Sequence, residues 1–509
     1  MRTDEPSHAA RDHRASPARG APAPRDRAGA GGVNAAGRRR ATVAIVGGGF
    51  TGATIAYHLA RGLGPDPGVE ILVIEPRDGL GQGLAYSTAD PSHRVNVPAS
   101  RMTMDCAIED GFQRWLDEKG VALSPGSRMA DGSTYPQRGL VGAYVADHLR
   151  PLLDSGRVRH VRARAISAVK AGTYRVALDD GGVVEADHLV IATSHPPPSI
   201  PAAFAHLRGS PRLISDPSDD ARLSGLARDA ERVAIIGTGL TSADVIASLD
   251  RQGFKGSIRA ISRRGLRSRG HAFGHGESLA DFSADPARTA LGLLRRVRAG
   301  VRRDAEAGLP WQAALDRVRK QAGAIWAALP EAERAKLVRR LRVWWDVHRF
   351  RVAPPVEAVL DDLIARGRLA ISAGDLREAR LVPDGIEIDW RPKGGAPVRE
   401  RFDAVVLTTG PAHQDALGSG LLAALGRAGL VRQDPLRLGL EVTAACLAVG
   451  ADGRPSPRLY VAGPLARAGV GELMGIPEVT GHAELVAARI LAALEQAGAA
   501  RASAENVGG

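Results

Sequence analysis

The chain reads as an α/β protein built on two parallel-sheet units, on three observations. A run of β-branched residues ends in three glycines and turns at once into a helical pattern, in "ATVAIVGGGFTGATIAYHLA" from Ala41. A second apolar strand from Arg232, in "RVAIIGTGLTSADVIASL", repeats that succession. Each is followed by another short apolar strand, "EILVIE" and "SIRAIS", and strand–turn–helix–strand is how parallel sheets are wound.

Bulk properties narrow the class. A length of 509 residues with 44% hydrophobic residues suits a globular protein of two or more domains. No apolar run approaches the roughly 18 residues of a membrane span. Cys106 and Cys446 are far apart and form no C-x-x-C, which speaks against a disulfide framework, a metal site and a dithiol reductase. They also fit a reducing cytoplasm, where the sequence places the protein. The formal charge is +12, and residues 1–40 carry nine arginines against four acids. Much of the remainder lies between Leu293 and Arg351, as solvated helix faces, with no nucleic-acid-binding motif beside it.

Taken in order, residues 1–40 are a basic tail too poor in large apolar residues to fold. Residues 41–230 form the first unit: the βαβ, a loop-rich stretch to Pro136, a helix in "LVGAYVADHLRPLL", and strands ending in "ADHLVIATS". Residues 231–410 form the second, with a helical insertion at about 285–368 whose turns fall at the Leu-Pro pairs of Leu309 and Leu329. Residues 411–500 return to the first unit through "RLYVAGP" and a last helix, and residues 501–509 fray.

The glycines state the chemistry. A pyrophosphate on a helix N-terminus needs a tight turn, a bare approach and close helix–strand packing. Gly47, Gly49 and Gly52 have that spacing, and Glu75 ends the next strand, placed to accept from a ribose hydroxyl. The second turn has Gly237, Gly239 and, at the third position, Ser242. There the next strand ends in Ser262, Arg263 and Arg264, and arginine pairs with a 2′-phosphate that a carboxylate would repel. Two Rossmann-like sites with different ribose readouts predict two dinucleotides: FAD at the first, and NADP at the second in preference to NAD. The helix after Gly463 would face the flavin pyrimidine.

Several stretches, namely "GGGFTG", "GQGLAYST" with "HRVNVPASRM", "ISRRGLRSRGH", "WWDVHRFRVAP", "RLGLEV" and "VAGPLARAGVGELMGIPEV", resemble the bacterial FAD-NAD(P)-binding flavoprotein family. The resemblance implies an FAD domain split around an NADP domain. It also implies that Gly83, Ala85, Tyr86, Asn96 and Val97 lie near the flavin. Where that family usually has Trp-Glu in its C-terminal loop, Gly471 precedes Glu472 here. More distantly, the layout is similar to flavin-dependent N-hydroxylases and Baeyer–Villiger monooxygenases. Their F-x-G-x-x-x-H signature is replaced by "LRGSPRLISDPSDD".

No nucleophile–base pair stands out. His348 and Arg351, with Asp346 and Arg349, are candidates for anion binding or proton transfer, against a reading as an ion-pair cluster packed with tryptophans. Tyr86 is a candidate beside the flavin, His271 closes "SRRGLRSRGH", and His195 ends a strand before "PPP" in a crossing loop. The expected activity is FAD-dependent oxidoreduction with NADPH or NADH as hydride donor and an unidentified small-molecule acceptor. Alternatives are a monooxygenase of the N-hydroxylase or Baeyer–Villiger type, and a flavin-binding redox sensor without turnover.

Overall fold

The computed structural model describes residues 40–65, 68–194, 196, 198–410, 416–418 and 420–507. The expected basic tail up to residue 39, His195 and residues 508–509 lie outside the described residues.

The strand Ala41–Val46 is buried from Thr42 onward, as a β-branched run covered on both faces should be. It sits inside a six-stranded sheet in the order Leu447–Val449, Pro455–Val461, His188–Ile191, Ala41–Val46, Val69–Ile74, Arg159–Val161. It pairs in parallel with both neighbours, Val43 opposite Ile71 and His188. The late strand Pro455–Val461 adds in parallel beside His188–Ile191, so the two ends of the chain build one sheet.

The chain between them builds a second, seven-stranded sheet: Val398–Phe402, Gly385–Pro392, Leu369–Val382, Ser257–Ser262, Arg232–Ile236, Ala404–Leu407, Leu213–Ile214. Ile236 pairs in parallel with Ile261 on one side and Leu407 on the other. Leu213–Ile214 already belongs to this sheet. Helices from Ala290 to Ala365 fill the span between Ser262 and Leu369, and Pro310 and Pro330 stand at the N-caps of Trp311–Lys320 and Glu331–Arg340. Phe282, Leu293, Val318, Ile325 and Leu329 give that insertion a small core of its own.

Two elements depart from the sequence reading. Within the loop-rich stretch, Gly111–Glu118 is a helix that buries Phe112, Trp115 and Leu116; its eight residues are too few for a clear period and no side chain caps it. The last helix, Ile476–Val507, runs through the start of the segment expected to fray from residue 501. Its alanine-rich end holds no breaker after Gly498, so propensity carries the helix on.

Candidate functional site

The two glycine turns are the same device built twice. Gly47 has φ +102° and Gly237 φ +120°, conformations that favour glycine. A Cβ on Gly47 would lie 2.5 Å from the Ala192 carbonyl oxygen, and one on Gly237 would lie 2.5 Å from that of Thr408. Ala192 and Thr408 each follow the strand on that side, His188–Ile191 and Ala404–Leu407. Even the strand starts match: the Asp187 carboxylate accepts from Thr42 N–H, and that of Asp403 from Glu231 and Arg232 N–H. The repeated "D" of "ADHLVI" and "FDAVVL" therefore clips each turn-bearing strand in register.

At the third position the turns differ without consequence. A Cβ on Gly52 would fall 1.9 Å from the Gly47 oxygen, whereas the second turn accommodates a buried Ser242. At the second position they differ in openness. Gly49 faces Gly83, whose Cα would lie 3.3 Å from an added Cβ; Gly239 has no heavy atom within 4 Å of that point. A small cavity opens beside Gly239, lined by Thr238, Ser242, Arg267 and Ser268. The first cradle is thus folded over by residues 81–83, with Gly81 N–H donating to Gly48 O, and the second lies open. The bare positions of both fit a dinucleotide.

The strand ends carry the expected residues, already partly engaged. Glu75 is buried; its carboxylate accepts from Gly48 N–H at 2.9 Å and from Arg77 Nη1 at 3.0 Å. A ribose would share that carboxylate with the turn itself. Beyond Ser262, the Arg264 guanidinium lies 5.7 Å from the Trp344 ring centroid. Arg263 is exposed, with no ion-pair partner among the described residues. Arg267 pairs with Asp361 at 2.6 Å, and its buried Nη1 has no acceptor. The sequence did not single this arginine out, although it lies four residues past Arg263.

Of the expected flavin-side residues, Gly83 and Tyr86 lie against the first turn and its helix. Tyr86 meets Phe50 edge-on at 6.2 Å, and burial pushes its phenol up to about 12, so it stays neutral. Val97 is buried, and Asn96 O accepts from His271 Nε2 at 3.2 Å across the two units. Burial, helped by Arg351, holds His271 down at about 4, hence uncharged at neutral pH. His348 and Arg351 both pack on Trp311, and Arg351 forks onto Asp316 at 2.8 and 3.1 Å. They thus lie in an ion-paired aromatic cluster within the insertion.

The units are tied by side chains that no motif singles out. Ser248, on the helix after the second turn, donates to Asp90 at 2.7 Å and bonds His93 Nε2 at 2.9 Å. Arg251 also holds Asp90, and Arg138 forks onto Asp244 at 2.8 and 3.1 Å.

At the return segment Gly463 comes against the first turn's helix, where a Cβ would lie 2.8 Å from Thr51 Oγ1. Where the resembling family has tryptophan, Gly471 is covered by Trp326 of the insertion: an added Cβ would lie 2.9 Å from its Cγ. Trp345 donates to Glu472 at 3.2 Å, and Arg349 pairs with Glu472 at 2.9 Å. The insertion is therefore stitched to this loop by indoles and arginines. Among the described residues, no group of three or more His, Cys, Asp or Glu could hold a metal ion, and no helix is long and apolar enough to cross a membrane.

Known proteins agree with this geometry. Residues 44–196 match the family described as FAD-NAD(P)-binding, and residues 143–269 match that of L-lysine 6-monooxygenase/L-ornithine 5-monooxygenase. Comparison with curated protein sequences finds no match. Among solved structures the chain is similar to reduced ornithine hydroxylase from Pseudomonas aeruginosa, at 18% identity over 89% of this chain and 99% of that one, with TM-score 0.60. L-lysine 6-monooxygenase from Pseudomonas syringae gives the same figures. Ornithine N-hydroxylase from Kutzneria sp. 744, described with reduced FAD, NADP+ and L-ornithine, gives 16% identity over 90% and 99%, with TM-score 0.56. At such identities these likenesses are of fold.

Fold and turns together define the class: an oxidoreductase with two dinucleotide-binding units, using FAD and NAD(P). That sets aside the sensor without turnover. Residues 44–196 match the FAD-NAD(P)-binding family that the motifs resemble.

Proposed function

We propose that the protein is an NADPH-dependent flavin monooxygenase of the N-hydroxylase type, acting on a small amine. The observation that carries this reading is the pair of unlike cradles: one folded over by Gly83, suited to a resident FAD, the other open at Gly239, suited to a dinucleotide that comes and goes. The match of residues 143–269 to the lysine/ornithine monooxygenase family, spanning the crossover strand and the second turn, supports oxygenation over plain reduction. Burial comes first in raising both thiols, Cys106 to about 12, which suits neither to dithiol exchange and speaks against the disulfide branch of the reductases alone.

Gly47, Gly49, Gly52 and Gly83 would hold the FAD, with Glu75 on its ribose, and Gly237, Gly239 and Ser242 the NADPH. Bound flavin supplies the redox chemistry between nicotinamide, O2 and substrate. The protein's part is to orient the two rings and shield them from water. In the net reaction NADPH is oxidised, one oxygen atom enters the amine and the other leaves as water. Arg263 is the residue free to take a 2′-phosphate, because Arg264 already rests on Trp344. Arg263→Ala should raise KM for NADPH about tenfold while leaving KM for NADH in place, and Arg264→Ala should do less; equal effects on both cofactors would remove the preference for NADPH.

The function itself is tested on FAD-loaded protein by following NADPH oxidation, O2 uptake and hydroxylamine formation with L-ornithine, L-lysine and other primary amines. Amine-dependent O2 uptake matched by hydroxylamine is the expected result. NADPH oxidation that proceeds only with quinones or dyes, without oxygenated product, would make the protein a reductase.

A further inference from the structure

The stretch from Gly81 to Asn96 reaches from the first cradle to the helix of the second. At its start, Gly81 N–H donates to Gly48 O at 2.7 Å and Gly83 lies against Gly49, closing over the first turn. Its middle rests on the helix Gly139–Asp154: a Cβ on Gly139 would lie 2.6 Å from Thr88 O, and one on Gly142 2.7 Å from Tyr86 O. Further on, Asp90 and His93 meet Leu240–Arg251, the helix whose N-cap is Gly239 of the second turn.

That meeting is a one-way chain of hydrogen bonds. Ser248 Oγ–H donates to Asp90 at 2.7 Å, so the 2.9 Å bond between Ser248 Oγ and His93 Nε2 takes its proton from the ring. His93 Nδ1 then accepts from Thr88 Oγ1–H at 2.8 Å, and Thr88 Oγ1 accepts from Asp90 N–H at 3.1 Å. Asp90, His93 and Ser248 are all buried, so a partner left unmatched there is costly. Asp244, Ser248 and Arg251 share one face of their helix, and each is bonded to the first unit, Asp244 through Arg138 and Arg251 through Asp90. Arg138 also donates to Arg94 O, and its backbone N–H to His93 O. Three contacts along one face hold the helix against both sliding and turning.

We propose that Ser248 and Asp90 are positioning residues for the transfer between nicotinamide and flavin, acting by fixing the helix of the open cradle against the segment that closes the first. The two units then keep one relative placement, with and without NADP(H). This rests on the assignment of NADPH to the second turn. Transfer between two rings is sensitive to a displacement of about 1 Å, whereas the grip on a pyrophosphate travels with the helix that makes it. Loosening the chain therefore slows transfer without weakening the grip.

Two measurements on FAD-loaded protein decide it, both well below each variant's thermal midpoint. For distances, spin labels are placed on Arg164→Cys in the first unit and Lys393→Cys in the second, both exposed positions; exposed Cys106 is changed to serine and buried Cys446 is left. Pulsed electron paramagnetic resonance should give one narrow distance in the otherwise unchanged protein, the same with NADP+, and a broader one in Ser248→Ala. For rates, unlabelled protein is mixed with NADPH without oxygen. The limiting rate of flavin bleaching should fall about tenfold in Ser248→Ala, with half-saturation changed less than about threefold. Ser248→Ala combined with Asp90→Asn should be no slower than Asp90→Asn alone, as for residues acting as one unit. The proposal is overturned by a distance that shifts with NADP+, by a distance or a limiting rate unchanged in Ser248→Ala, or by a rate loss that saturating NADPH restores. If NADPH fails to bleach even the wild type, the cofactor assignment is at fault, and the distances alone decide whether the units are held.

Discussion

At the scale of single residues, the two turns give opposite forecasts for the same substitution. Gly52→Ala puts a methyl 1.9 Å from the Gly47 oxygen, where only backbone movement can make room. It should cost on the order of 1–3 kcal/mol of stability and release FAD. Gly239→Ala meets nothing within 4 Å and sits at φ −88°, which alanine adopts freely. It should cost less than about 1 kcal/mol, keep its flavin, and weaken NADPH binding about tenfold. Thermal melts together with NADPH titration of the flavin absorbance separate the two. Loss of fold in Gly239→Ala, or unchanged NADPH affinity, would mean that the open cradle is not the nicotinamide dinucleotide's. The glycines were legible because their constraint is local: spacing, preceding strand and following helix are all within a dozen residues. Glu75 was legible in place but not in state, since its bond to Gly48 N–H reaches back 27 residues.

At the scale of elements, legibility fell with sequence separation. Strand and helix periods, Leu-Pro turns and the return of the last strand could be read from runs of neighbours. The short amphipathic helix Gly111–Glu118 could not, nor could the lock between the units. In that lock Asp90 meets Ser248 across 158 residues and Arg138 meets Asp244 across 106. Burial opposes ionisation of Asp90, but hydrogen bonds from Ser92, Arg251 and Ser248 outweigh it and bring its carboxyl to about 2. Because that value lies below the unfolded one, the stabilisation is complete above about pH 4 and is lost as pH falls toward 2. Asp90→Asn leaves Arg251 facing an amide and should lower stability at neutral pH by about 1–3 kcal/mol. Urea unfolding gives the loss, and the variant should no longer show the step between pH 4 and 2. An Asp90→Asn protein as stable as the wild type would show that other contacts, Arg138–Asp244 first among them, hold the units together.

At the scale of the whole molecule, the net charge of +12 said little, because most cations find acids in the folded chain or face solvent. What matters for its response to pH is the set of histidines that folding keeps neutral. Burial holds His188, His271 and His482 each down at about 4, with Arg458 and Arg351 reinforcing the first two. In the unfolded chain they titrate near 6.5, so between about pH 6.5 and 4 the unfolded state binds protons that the folded state refuses. Stability must therefore fall as pH drops through that window, by up to about 2 kcal/mol per histidine at pH 5. Burial raises the carboxyls of Asp346, Glu357 and Asp434, which pushes the other way, so the histidine share has to be isolated by substitution. His188 serves, since its buried Nδ1 has no partner to lose and its ring stacks on Tyr460. Urea midpoints at pH 7.5 and 5.0 should differ clearly in the wild type and less in His188→Leu, with the variant gaining at pH 5.0. If the midpoints of wild type and variant fall in parallel, His188 is charged in the folded protein, and the crossover strand His188–Ile191 is wetter than its position between Ala41–Val46 and Pro455–Val461 requires.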